Sequence, residues 1–143
     1  MKFSHLGYIV KNSDATIAAM AHFFPQILVY RKKIAAQQIF VSFMNTAHGD
    51  MQIELVEPLP ENRLLNGMLE KAHKECLPYH ICFEVNDFAE KYQQLIHGGW
   101  LALTRPFHAY PDGPLASHLY KPEAGIMEIM SGSTTLLAQG ETA

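Results

Sequence analysis

His5-Leu6-Gly7-Tyr8-Ile9-Val10 near the start of the chain and His80-Ile81-Cys82-Phe83-Glu84-Val85 past its middle read as one pattern used twice. Each is a histidine followed by a short run rich in aromatic and β-branched residues, the composition of a strand. A second pair matches further on, Ile53-Glu54-Leu55-Val56 with Met127-Glu128-Ile129-Met130. From His5 to Glu54 is 49 positions and from His80 to Glu128 is 48, so each half-chain places a His on its first strand and a Glu on its last. An internal duplication explains the agreement most economically.

The stretches between these anchors repeat as well. After the first strand, Lys11-Asn12-Ser13-Asp14 ends the strand and caps a helix expected over 15–24, which Pro25 stops. Strands are expected over 27–30, 38–44 and 51–56, with a turn over 45–50, so the first half is βαβββ. Leu64, Leu65, Met68 and Leu69 at helical spacing mark a linker helix. The second half has a strand over 79–85, an Asn86-Asp87 cap, a helix over 88–96 and a His97-Gly98-Gly99 stop. Strands over 100–103, 115–120 and 126–130 follow, separated by a Pro-rich loop over 105–114 and a turn over 122–125. The expected organisation is one domain over 1–132: a module over 3–57, a linker over 58–76, a module over 78–131, and a flexible tail over 133–143.

Composition agrees with a folded domain and narrows its partners. The 143 residues carry 48% hydrophobic and 17% charged side chains, far from the signature of disorder. With 11 basic and 14 acidic residues the net charge is −3, and the basic residues are scattered apart from Arg31-Lys32-Lys33, which argues against nucleic acid. No apolar run is long enough for a membrane span or a signal peptide, so no membrane partner and a cytoplasmic location are expected. Cys76 and Cys82 are too few for a disulfide framework and too irregular for a thiolate zinc site.

The unusual count is eight histidines. Taken singly, a strand histidine is more often packed or hydrogen-bonded than a ligand, and Glu54 reads as an ordinary carboxylate on the wet side of a strand. Glu128 is harder to dismiss, because its same-face neighbours are Ile126 and Met130, and an ionised carboxylate on an apolar face is costly unless something pairs with it. The conjunction shifts the balance: two related modules would bring both His/Glu pairs to one centre. Two imidazoles and two carboxylates suit one divalent ion, Zn, Co, Ni, Mn or Fe. Such an ion polarises a bound carbonyl and stabilises an enolate, so proton transfer beside a carbonyl is the chemistry expected. His108 and His118 are further candidate proton acceptors, but a surface or packed role is the preferred reading for each. Arg105 and Lys121 are candidates for a substrate carboxylate or phosphate, although solvated surface charge is the ordinary explanation for each.

These residues together resemble the vicinal oxygen chelate superfamily, which contains glyoxalase I, bleomycin resistance proteins and extradiol dioxygenases. Within it, Ile53-Glu54-Leu55-Val56-Glu57-Pro58-Leu59, a helical linker and Tyr79-His80-Ile81-Cys82-Phe83-Glu84-Val85 are most similar to the methylmalonyl-CoA epimerase-like branch. The resemblance implies an α+β fold, two tandem βαβββ modules forming a cupped eight-stranded mixed sheet, often paired into homodimers. It implies a metal held by His5, Glu54, His80 and Glu128, and a small-molecule substrate such as a CoA or carrier-protein thioester. It also implies an isomerase or epimerase in which Glu128 is one base and a second glutamate stands where this chain has Gln37. A glutamine cannot take up a proton at neutral pH, so Gln37 marks a departure from two-base epimerisation. The alternatives are a glyoxalase I-like lyase and a non-catalytic protein that binds a small ligand.

Overall fold

The computed structural model describes residues 1–132 apart from Phe24, His48 and Asp50, so the tail expected over 133–143 lies outside the described residues. The chain divides into two compact units. Among the described residues, one joins Met1–His5 to residues 80–132, and the other holds Leu6–Tyr79.

The Leu6–Tyr79 unit contains most of β1 (Lys2–Val10), then α1 (Ser13–Met20), β2 (Gln26–Ile34), β3 (Ile39–Thr46), β4 (Gln52–Pro58) and α2 (Arg63–Ala72). Its strand order is β2-β3-β4-β1, with β3 antiparallel to both neighbours and β1 parallel to β4. Strand alternation divides the apolar residues between two faces. Val10, Met44, Ile53 and Leu55 pack with Ile17 and Met20 of α1, while Ile9, Val41, Phe43 and Val56 pack with Leu65 and Leu69 of α2. Asn12 caps α1 by accepting from the Ala15 amide at 2.9 Å, and Asn62 caps α2 by accepting from Leu65 at 3.1 Å.

Two expectations for this half are corrected. Helix α1 ends at Met20, short of the expected 24, because Phe23 is 89% exposed and no buried contact offsets the cost of ordering another turn. Strand β2 runs on through the three basic residues to Ile34, because Tyr30 and Ile34 are buried and the ladder to β3 continues past them. Arg31 is held there by Asp14 at 2.7 Å and by the Ser42 hydroxyl at 3.0 Å.

The other unit contains most of β5 (Cys76–Glu84), then α3 (Phe88–His97), β6 (Leu101–Ala102), β7 (Phe107–His108), β8 (Leu115–Lys121) and β9 (Gly125–Met130). Its order, β6-β8-β9-β5 with β5 parallel to β9, repeats that of the first half, as the duplication requires. The registers coincide too: Leu6 faces Ile53 and Gly7 faces Glu54, while Ile81 faces Met127 and Cys82 faces Glu128. The fold is therefore α+β with mixed strand pairing in two βαβββ-like halves. The described residues form nine strands, one more than expected, because the loop over 105–114 contains β7, which pairs with β8. Two residues are too few to show periodicity in sequence.

Helix α3 covers one face of this unit. Asp87 caps it by accepting from Glu90 at 2.9 Å, and Phe88, Tyr92, Leu95 and Ile96 lie at helical spacing against Val85, Leu119 and Ile129. The opposite face carries His80, His118 and Glu128. Leu119 has no exposed surface, so Leu119→Ala should destabilise the protein by about 2–5 kcal/mol, from lost burial and the cavity left behind. Denaturant unfolding should show a lower midpoint at unchanged slope. A loss under about 1 kcal/mol would contradict a close-packed face.

Candidate metal centre

The position of Glu128 is set by a tight turn. Pro122, Glu123 and Ala124 connect β8 to β9, with the Ala124 amide donating to the Lys121 carbonyl at 3.0 Å and Gly125 following at φ +77°. A three-residue loop of this kind needs a left-handed residue where it rejoins the strand, and glycine adopts it without strain. Counting outward from the Lys121 and Gly125 pair puts His118 directly opposite Glu128. On the other side of β9, Cys82 of β5 faces Glu128.

His5, at 1% exposure, arrives from β1 in this same unit, and His80 from β5. His5 Nε2 lies 3.3 Å from His80 Nε2, and Glu128 Oε1 lies 3.6 Å from the first and 3.8 Å from the second. The Ser4 hydroxyl stands 3.0 Å from His5 Nδ1. A ring whose Nδ1–H donates to that hydroxyl presents its Nε2 lone pair to the centre.

These distances test whether the donors fit an ion. Two ligand atoms each about 2.1 Å from a tetrahedral ion stand about 3.4 Å apart. The three observed separations lie close to that figure, and the donors are two imidazole nitrogens and a carboxylate oxygen, all buried. The set fits a divalent cation. Burial pushes the Glu128 carboxyl up, but the imidazoles of His118, His80 and His5 outweigh it and hold the group well below the usual carboxylate range. Glu128 is therefore an anion at neutral pH, as a ligand must be.

Three of the four residues expected at the metal thus meet in one unit. Glu54 is half-buried on β4 of the other unit, between Gly7 and Phe43 in register. Gln37 ends a single 3-10 turn over Ala35–Gln37, and its backbone carbonyl accepts from Asn62 Nδ2 at 3.3 Å. Two further residues stand at the centre. Cys82, fully buried, can bring its sulfur within 4.8 Å of donor atoms of His5 and Glu128, where no thiol was expected. His118, for which a packed or surface role was preferred, is buried with Nε2 2.8 Å from Glu128 Oε2. Its signal was present in the sequence: the turn length at Gly125 pairs it with Glu128. Lys121 is occupied structurally, donating to the Gly98 carbonyl at 2.9 Å. His108 Nδ1 lies 2.9 Å from the Gly113 carbonyl within its own loop.

Comparison with known proteins identifies the family and the fold. Residues 4–115 match the family described as Glyoxalase/Bleomycin resistance protein/Dioxygenase superfamily. Among solved structures, methylmalonyl-CoA epimerase from Mycobacterium tuberculosis is similar, with a TM-score of 0.76, 18% identity and coverage of 96% of this chain and 91% of that one. A hypothetical protein from Bacillus halodurans gives 0.75, 20% identity, 90% and 92%. A substituted Streptomyces coelicolor methylmalonyl-CoA epimerase in complex with 2-nitronate-propionyl-CoA gives 0.72, 18% identity, 91% and 96%. At these identities the likeness is one of fold. No curated protein matches the chain.

Proposed function

We propose, from the premise that the chain belongs to the glyoxalase/bleomycin resistance protein/dioxygenase superfamily, that it is a divalent-metal-dependent enzyme transferring a proton beside the carbonyl of an acyl thioester. The observation that carries this reading is the triangle of His5 Nε2, His80 Nε2 and Glu128 Oε1, whose sides match the first shell of one ion. A coenzyme A thioester is the substrate class supported by fold likeness to an epimerase that holds an acyl-CoA analogue. Glu54 occupies on β4 the register position that Glu128 occupies on β9.

When bound, the ion polarises the carbonyl oxygen and lowers the cost of removing the neighbouring proton. The residues supply the rest. His5 and His80 hold their ring nitrogens toward the centre, and the Glu128 carboxylate accepts the proton and returns it. Being strongly ionised, Glu128 holds that proton only transiently. Gln37, in the place of a second base, takes up none, so the proposed reaction is exchange through one base.

Incubating a panel of acyl-CoA thioesters with the protein in heavy water tests the reading. Deuterium should enter at the carbon beside the carbonyl of the true substrate, without inversion at the rate of exchange. Exchange into hemithioacetals alone would instead indicate a lyase of the glyoxalase I type, and exchange into neither class would refute the proposal.

A further inference from the structure

The two oxygens of Glu128 face different partners, and the distances separate their tasks. Oε1 stands 3.6 and 3.8 Å from the nitrogens of His5 and His80, spacings that leave room for an ion between them. Oε2 stands 2.8 Å from His118 Nε2. Two atoms sharing one tetrahedral ion would lie about 3.4 Å apart, whereas 2.8 Å is a direct imidazole–carboxylate contact with no room for an ion between.

His118 is built to hold that position. Its backbone amide donates to the Thr104 hydroxyl at 2.9 Å and its carbonyl accepts from the Leu103 amide at 2.9 Å. Phe107 of β7 stacks on its ring, with centroids 5.6 Å apart and planes inclined by 19°, and the His80 ring meets it edge-on at 4.9 Å. Backbone and ring are thus fixed from several sides.

We infer that His118 is a positioning residue, whose Nε2, in direct contact with Oε2 of Glu128, holds that oxygen so that Oε1 alone is presented toward His5 and His80. This rests on the metal-dependent reading above and adds to it a second layer, contributed by β8 and by the short strand β7. An imidazole that orients a ligating carboxylate changes affinity without being a ligand.

Cobalt(II) titration of the full-length protein, followed by visible absorption and by chelator competition, tests this. His118→Phe keeps a ring against Phe107 but removes the nitrogen that meets Oε2, and should weaken cobalt binding about 10–100-fold. The absorption bands of the loaded variant should stay those of the unsubstituted protein, because the donor atoms are unchanged. His118→Gln, which retains a side-chain nitrogen, should recover affinity to within a few-fold. Circular dichroism of the metal-free variants checks folding, and His118→Met replaces His118→Phe if the latter does not fold. Altered bands in His118→Phe, or unchanged affinity in it, would overturn the positioning role while leaving the metal reading intact. Absence of cobalt binding by the unsubstituted protein would overturn the metal reading, and the positioning role with it.

Discussion

Replacing Glu128 by Gln should remove both metal retention and proton exchange while leaving the chain folded. The amide has nearly the shape of the carboxylate, so the close packing around it, including Cys82, Ala116 and Met130, is preserved. What changes is charge. The carboxylate faces three buried imidazoles, and without it an ion must leave water for a set carrying one negative charge fewer. The same substitution removes the proton acceptor, which is worth about 10²–10⁴ in rate for a general base. Deuterium incorporation should therefore fall by about that factor even with metal in excess. The metal-free variant should melt below the metal-free parent, because the imidazoles that hold the Glu128 carboxyl below its usual range stabilise its ionised form in the fold. Retained exchange at the parental rate would show that Glu128 is not the base.

The second large effect is expected from His5→Ala combined with His80→Ala. Both nitrogens contact one centre and lie 3.3 Å apart, so the two substitutions should not add independently. Either single change should release most of the ion, and the double variant should lose little more. Cavities left by the two buried rings will also lower stability. Melting curves of all variants after chelation separate that cost from the loss of metal. Additive losses across the two positions would mean that the histidines serve separate purposes.

Much of this arrangement was legible in the sequence, and the reason is repetition. A single histidine on a strand carries little information, but His5 and His80, each followed at nearly equal spacing by Glu54 and Glu128, identify equivalent positions in two halves. The structure gives those halves the same strand order and the same register opposite each glutamate. Helix α3 was readable for a local reason, since Asp87 caps it and its apolar residues recur at helical spacing.

The features that escaped depend on tertiary context. The end of α1 is decided by what Phe23 fails to touch, and the extension of β2 by hydrogen bonding to β3, neither of which composition reports. Strand β7 is two residues long and owes its place to Phe107 packing near Cys82 and stacking on His118. His118 itself has no counterpart within the repeated motifs. Only the three-residue turn before Gly125, read as a constraint on hairpin register, would have brought it opposite Glu128.

The central claim is that buried imidazoles and a carboxylate in this fold hold one ion, and elemental analysis of the purified full-length protein tests it most directly. The account predicts close to one divalent ion per chain, retained through dialysis and lost from Glu128→Gln. Protein that takes up no divalent ion, even after exposure to zinc, cobalt, nickel, manganese and iron(II) in turn, would contradict it.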